Sequence, residues 1–363
     1  MRPVRGRGGR LTTASLRRVR LNAPASGFLG APIETDPTRI DADVAILGVP
    51  HGWPYPRPGS TAGCAEAPAA IRRRAERLAG FRGNWDFDLD GPMLAADASP
   101  RLVDAGDVPG DPDDGAGNAA ATSASVAAIL ARDAVPVCIG GDDSVPIPIL
   151  RAFAGRGPIT VLQLDAHLDF RDEVQGVRDG YSSAMRRATE MEHVSRVVQV
   201  GLRGVGSARP SDVDDARAAG NVLITALDVR ERGVGWVLER LAPDASVFLS
   251  LDCDGLDPSV FPAVSALAPS GLSHAEAAGL VGGIGSRLAG AAVTEYVPAL
   301  DESGTSAAVA VRLIVRLIAS TPGTVPHRTP DATCSTDEPR RQTPLQSQSP
   351  RGAGRCRGRC RRG

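Results

Sequence analysis

Short apolar runs alternate along this chain with longer stretches in which apolar residues recur every three or four positions. The short runs are rich in β-branched residues, which is typical of strands. They lie at 43–49, 135–139, 159–164, 194–200, 222–227 and 247–251. Helical spacing is found at 65–78, 119–132 and 304–319. Apolar strands that alternate with helices predict an α/β fold with a parallel sheet covered on both faces, built as one domain over 24–320.

The two ends of the chain differ from this body in composition. Residues 1–23 lack hydrophobic periodicity, and residues 321–363 consist mainly of Pro, Ser, Gln, Arg and Gly. Segments of this kind bury too little apolar surface to offset the loss of chain entropy on folding. We therefore expect a disordered Arg-rich tail at 1–23 and a disordered Pro/Ser/Arg-rich tail at 321–363.

The formal net charge of −1 is a cancellation between these parts. Residues 1–23 carry seven Arg and no acid, and residues 321–363 carry nine Arg and three acids. Subtracting the tail charges of +7 and +6 from the total of −1 leaves −14 for the body. An acidic body argues against nucleic acid as its partner, although the basic tails leave a nucleic-acid-associated protein as an alternative.

The hydrophobic segments of the chain are short. The sequence contains no apolar run of about 18 residues or more, so we expect no membrane partner. Its Arg-rich start lacks the apolar segment of a secretory signal. These features favour a cytoplasmic location with reduced thiols.

Three of the predicted strands run directly into carboxylates. The segments that follow them read GGDDS at 140–144, DAHLD at 165–169 and DCDGLDP at 252–258. In an open parallel sheet, ligands sit beyond the carboxyl ends of the strands, so the three clusters are expected to face one crevice. Within two of them the charged residues are spaced two apart, which points their side chains the same way on extended backbone.

Several carboxylates in one partly buried crevice repel each other, and some would stay protonated. A bound divalent cation removes that conflict. Carboxylates together with one imidazole suit an ion such as Mn²⁺, and this number of ligands has room for two ions. The sequence therefore predicts a metal site at this edge of the sheet.

The same segments resemble those of the ureohydrolase family, which includes arginases, agmatinases and guanidinobutyrases. The family patterns GGDHS, DAHxD and DxDGLDP correspond to GGDDS, DAHLD and DCDGLDP here, and the resemblance extends over about 43–318. It implies a three-layer α/β/α sandwich around a mainly parallel sheet. It also implies an agmatinase-like, Mn²⁺-dependent hydrolase in which metal-activated hydroxide converts a guanidino compound to urea and an amine.

The resemblance also assigns roles to individual residues. Glu295 matches the family glutamate that pairs with the guanidinium, a planar cation that suits a bidentate carboxylate. Agmatine-like compounds, guanidinobutyrate and guanidine are the candidate substrates, and a homotrimer or homohexamer is the expected assembly. Two Mn²⁺ ions are expected per subunit, with metal contacts implied for Asp143, Asp165, His167, Asp169, Asp252 and Asp254.

Two positions depart from the family pattern. Asp143 stands where the family has the His of GGDHS. Tyr181 takes the position of a His that handles protons or positions substrate, although aligning Asp179-Gly180 there is an alternative. His51, at another predicted strand end, is a candidate substrate contact. The replaced histidines also leave open a non-catalytic, metal-binding protein with a structural or regulatory role.

Overall fold

The computed structural model describes residues 20–56, 62–94 and 100–321, which fall within one compact unit. The strands are β1 Val44–Gly48, β2 Trp85–Asp86, β3 Gly91–Pro92, β4 Leu102–Asp107, β5 Val135–Ile139, β6 Ile159–Leu164, β7 Val194–Leu202, β8 Val222–Thr225, β9 Ser246–Asp252 and β10 Leu288–Thr294. The helices are α1 Ala67–Ala79, α2 Gly115–Leu130, α3 Pro146–Arg151, α4 Ala184–Thr189, α5 Pro210–Ala218, α6 Ala226–Leu238, α7 His274–Ile284 and α8 Thr305–Ala319.

Eight of these strands form one parallel sheet in the order β4-β1-β5-β10-β9-β6-β7-β8. Alternate residues of each strand enter two separate apolar layers, as Ile46 and Leu47 of β1 do. One layer is closed by α1, α6, α7 and α8, and the other by α2, α3, α4 and α5. The predicted three-layer α/β/α sandwich is confirmed.

The strand predictions succeed best in the middle of the sheet. β5 and β6 have the predicted bounds, whereas β4 and β10 have no counterpart among the predicted strands. The β4 sequence LVDAGD is interrupted by acids, and the β10 sequence LAGAAVT is built from small residues, so neither reads as a β-branched run. The prediction of a strand over 222–227 is too long, because Thr225 accepts a hydrogen bond from the Asp228 N–H and starts α6.

The folded body begins before the predicted boundary at residue 24. The Leu21 side chain is buried. Asn22 exchanges two backbone hydrogen bonds with Asp107, each 2.8 Å long. The remaining parts of the proposed tails, 1–19 and 322–363, lie outside the described residues. No helix in the described part of the chain is long and apolar enough to cross a membrane.

A buried guanidinium fastens α1 to the edge strand β4. Arg72, with its side chain 2% exposed, donates to both carboxylate oxygens of Asp104 at 2.8 and 2.9 Å. It also donates to Asp107 at 2.5 Å and to the Gly106 carbonyl at 3.2 Å. The fully buried Asp104 accepts a further bond from the Phe28 N–H at 2.8 Å. The buried charges of Arg72 and Asp104 neutralise each other. Removing one of the two side chains would leave the other buried and unpaired.

We predict that Arg72→Met lowers the free energy of unfolding by about 3–5 kcal/mol, because Asp104 then loses its buried partner. The matched control is Arg101→Met. Arg101 pairs with Asp41 and Asp43 on the surface with its own side chain 60% exposed, so about 0–1 kcal/mol is expected. Urea unfolding of both variants measures the difference. Equal, small changes in the two would contradict the prediction.

Candidate metal centre and substrate cavity

The candidate site lies at the carboxyl ends of the four central strands of the sheet. In register, Leu164 of β6 lies opposite Leu251 of β9, which lies opposite Val293 of β10, and Val293 lies opposite Ile139 of β5. The four strands therefore end at one level, and the residues that follow each of them converge. This is where the three predicted carboxylate clusters meet.

An open cavity of about 280 Å³ lies at this edge. Its walls include most of the residues that the sequence singled out. The cavity is lined by Asp143, His167, Asp169, Tyr181, Ser182, Val205, Gly206, Ser207, Asp252, Asp254, Ser265, Ala266 and Glu295. Asp165 is fully buried next to this lining. The structure thus brings together the predicted metal contacts and Glu295.

Two overlapping sets of side chains have the spacing of cation ligands. Asp165, His167 and Asp254 form one set, and Asp143, Asp165 and Asp252 form the other. In each set the potential ligand atoms lie within 4.8 Å of one another. Asp165 belongs to both. Asp169 lines the same cavity but belongs to neither set by this measure.

Burial and mutual repulsion both disfavour the ionised form of the carboxylates in this cluster. Burial raises the pKa of Asp143, Asp165 and Asp252 well above the usual aspartate value, and repulsion from neighbouring carboxylates raises it further. The Oδ2 atom of Asp143 is buried without a hydrogen-bond partner among the described residues. Oxygen ligands with one imidazole, held close and lacking neutralisation, fit one or two divalent cations of the Mn²⁺ type.

Local backbone contacts fix the DCDGLDP segment against the DAHLD segment. The Asp254 N–H donates to Asp252 at 2.7 Å, and the Ala166 N–H donates to Asp254 at 3.2 Å. Gly255 packs so closely on β6 that a Cβ there would lie 2.7 Å from the Asp165 nitrogen. His167 Nδ1 lies 3.0 Å from Asp254 Oδ2, and this hydrogen bond raises the pKa of the imidazole.

Glu295 is held in a backbone conformation that few side chains adopt. Its φ is 63°, in the left-handed region. Its N–H donates to the Gly141 carbonyl at 3.0 Å, and its Oε1 accepts from the Asp143 N–H, also at 3.0 Å. The thiol of Cys64 lies 3.7 Å from Oε2. Contacts from two other parts of the chain, the GGDDS segment and Cys64, therefore hold this carboxylate at the cavity wall.

Tyr181 lines the cavity beside a second tyrosine. Its ring centre lies 4.5 Å from that of Tyr55, whose hydroxyl accepts a hydrogen bond from the Ser182 N–H at 3.2 Å. Burial raises the pKa of Tyr181 to about 12. The phenol therefore keeps its proton near neutral pH, and it can donate a hydrogen bond but cannot act as a base. Asp179, the alternative at this alignment position, pairs with Arg151 at 2.6 Å.

The structure does not bring His51 into the carboxylate cavity. It places His51 in a separate, smaller cavity that is also lined by Trp53, Ser144 and Asp179. Its ring packs against the backbone of Gly110, where an added Cβ would lie 3.0 Å away. The role of His51 as a substrate contact stays a prediction, with its ring outside the lining of the carboxylate cavity.

Arg203 supports the site and has no counterpart among the predicted residues. Its guanidinium donates to the carbonyls of Asp254, Gly255 and Leu256 at 2.7, 3.1 and 3.1 Å. It also donates to the carbonyl of Ala268 at 2.8 Å. The residue thus holds the backbone of the DCDGLDP segment in place. Its position directly after β7 was the available signal, because it repeats the strand-end placement of the carboxylates.

Comparison with known proteins points to one family. A family model described as "Arginase family" matches residues 42–319. Proclavaminate amidinohydrolase of Streptomyces clavuligerus is 30% identical over 78% of this chain and 89% of its own length. The agmatinase of Sodalis glossinidius is 29% identical over 81% of this chain and 92% of its own.

Solved structures agree with these sequence matches. The Streptomyces clavuligerus amidinohydrolase superposes with a TM-score of 0.69 at 28% identity, covering 82% of this chain and 97% of its own. Trypanosoma cruzi formiminoglutamase with Mn²⁺ superposes with a TM-score of 0.68 at 27% identity, and the match covers 78% of this chain and 95% of its own. The resemblance of this chain to the family that includes arginases and agmatinases is confirmed.

The raised carboxyl pKa values predict how metal-free stability depends on pH. Above about pH 4 the unfolded chain gives up protons that the folded cluster retains, so rising pH favours unfolding. We expect the free energy of unfolding, measured with a chelator present, to fall between pH 5 and 8. Asp252→Asn should flatten that slope, because it removes one of the responsible groups. Metal-free stability that rises with pH in this range would refute the account.

Proposed function

Because the chain belongs to the arginase family, we propose that it is a Mn²⁺-dependent hydrolase that splits a guanidino compound into urea and an amine. The observation that carries this proposal is the pair of overlapping ligand sets in one cavity with Glu295. Relatives named agmatinase and guanidinobutyrase support a guanidino substrate.

The metal would be held by the six residues that converge on the cavity. Two Mn²⁺ ions, when bound, supply positive charge that lowers the pKa of a water molecule and makes it a nucleophile near neutral pH. The solved Trypanosoma cruzi neighbour with Mn²⁺ supports this choice of ion. The proposed ligands are Asp143, Asp165, His167, Asp169, Asp252 and Asp254.

Glu295 would bind the guanidinium and turn its central carbon toward the metal cluster. Each carboxylate oxygen accepts one contact from the protein and keeps free lone pairs for the N–H groups of the substrate. Tyr181, on the same cavity wall, would donate a hydrogen bond to the substrate or offer its ring to the cation. The acidic lining attracts the guanidinium group of a small substrate, such as agmatine, guanidinobutyrate or guanidine.

We further propose that the protein is a homo-oligomer and that it works in the cytoplasm. Its role would lie in polyamine metabolism or a related use of guanidino compounds. Three cysteines of the described chain, Cys64, Cys138 and Cys253, are free and buried, which suits a reducing compartment. Light scattering of the purified protein measures the assembly directly.

Urea release is the test of the proposed activity. The Mn²⁺-loaded protein is assayed with agmatine, 4-guanidinobutyrate, arginine and guanidine, and release of formamide from formiminoglutamate is followed in parallel. Urea from at least one guanidino compound supports the proposal. Formamide without urea would move the activity to another substrate class. No product, with Mn²⁺ shown to be bound, would instead favour a non-catalytic metal protein, the reading motivated by Asp143 and Tyr181 in place of histidines.

For the residue assigned to the substrate, we predict that Glu295→Gln lowers kcat/KM roughly 100-fold, or about 2.7 kcal/mol of transition-state stabilisation. Mn²⁺ affinity should stay within about threefold, because Glu295 belongs to neither ligand set. Glu239→Gln is the control, since that side chain is exposed and remote from the cavity lining. A parallel loss of Mn²⁺ binding in Glu295→Gln would show that the residue serves the metal instead.

A further inference from the structure

A chain of buried amide side chains leads from the outer strands of the sheet to two carboxylates of the site. Asn221 donates to Gln199 at 3.1 Å, and Gln199 donates to Gln163 at 2.7 Å. Gln163 then donates to Asp165 at 2.6 Å and to Asp169 at 3.1 Å. Gln163 and Gln199 have no exposed surface. We refer to Asn221, Gln199 and Gln163 as the amide relay.

The sheet dictates this alignment. Gln163 on β6 lies opposite Gln199 on β7 in the ladder register. Gln163 also precedes Asp165 by two residues, so both point to the same face of the sheet. Asn221 directly precedes β8, the next strand outward. The relay therefore forms a polar layer one step below the carboxylates.

The direction of every hydrogen bond in the relay is set by one backbone group. The Leu168 carbonyl can only accept, and it lies 2.7 Å from Gln199 Nε2, which places the Gln199 amino group on that side. The second hydrogen of that amino group then reaches Gln163 Oε1. This fixes Gln163 with its own amino group toward Asp165 and Asp169, and one hydrogen is available for each.

This arrangement has a chemical consequence for the two carboxylates. A neutral amide that donates to both fixes the orientation of their oxygens without bringing in a cation that would compete with a metal. Asp165 Oδ1 is held separately by the His167 N–H, at 2.5 Å. Both carboxylate oxygens of Asp165, the residue common to the two ligand sets, are thus oriented by donors. Each oxygen keeps a lone pair for a cation.

We propose that the amide relay positions Asp165 and Asp169 for metal binding, and that Gln163 and Gln199 are positioning residues for the Mn²⁺ site. The proposal rests on the proposed function, because that function supplies the metal. Hydrogen-bond partners of metal ligands typically change metal affinity by about 10–100-fold when they are removed. Gln163 and Gln199 should therefore influence metal binding although neither lines the cavity.

Ser250 provides a matched control for the same layer of the sheet. It lies opposite Gln163 on the other neighbouring strand, β9, and is equally buried. Its hydroxyl has no hydrogen-bond partner among the described residues. Ser250→Ala therefore removes a buried polar group at the same depth and leaves every hydrogen bond of the relay in place.

The experiment measures Mn²⁺ binding by calorimetry for the parent protein and for Gln163→Met, Gln199→Met and Ser250→Ala. Met approximates the shape of Gln but cannot donate. We expect at least about tenfold weaker binding for Gln163→Met. Gln199→Met should weaken binding several-fold, because Gln163 is then free to turn its amide, and Ser250→Ala should stay within twofold. Electron paramagnetic resonance of bound Mn²⁺ should change for the two Gln variants and not for Ser250→Ala.

The outcomes separate this inference from the proposed function. A parent protein that binds no Mn²⁺ overturns the metal site itself, and the relay with it. Binding to the parent together with unchanged affinity in Gln163→Met overturns the relay alone. If circular dichroism shows that Gln163→Met is unfolded, Gln199→Met decides. Weakened binding there supports the relay, and affinity equal to that of Ser250→Ala rejects it.

Discussion

Concentrated negative charge in a buried place is the constraint around which this molecule is arranged. The central strands end at one level, and the side chains beyond them force several carboxylates into a single cavity. Among the described residues, the cationic partner that these carboxylates meet is His167 and not an arginine. The guanidinium of Arg203 holds the backbone of the DCDGLDP segment, whereas backbone N–H groups and the amide of Gln163 donate to the acids themselves. These donors orient the acids but leave their charge available to a cation.

Elsewhere in the same sheet, a buried carboxylate is neutralised by a side chain of the protein. At β4, Asp104 is as deeply buried as Asp165, but Arg72 neutralises it with two direct hydrogen bonds. A carboxylate that is paired within the chain serves stability, whereas one that is oriented but not neutralised is suited to binding a cation. The contrast between Asp104 and Asp165 separates a structural ion pair from a functional site on physical grounds.

Sequence reasoning recovered the parts of the fold that depend on local pattern. The β-branched runs predicted the bounds of β5 and β6, and the strand-end motifs predicted which acids converge. It did not recover β10, because a strand of Ala and Gly is stabilised by its neighbours and carries little pattern of its own. Gln163 and Gln199 were equally hidden. They are 36 residues apart, and only the pairing register of β6 with β7 brings them together.

The double membership of Asp165 has a consequence for how such a site can change over generations. One side chain contributes to both candidate ligand sets, so a substitution there disturbs both sets at once. The other ligands each belong to at most one set. A substitution at Asp143, His167, Asp252 or Asp254 therefore disturbs one set and leaves the other complete, whereas Asp165 cannot be replaced without disturbing both.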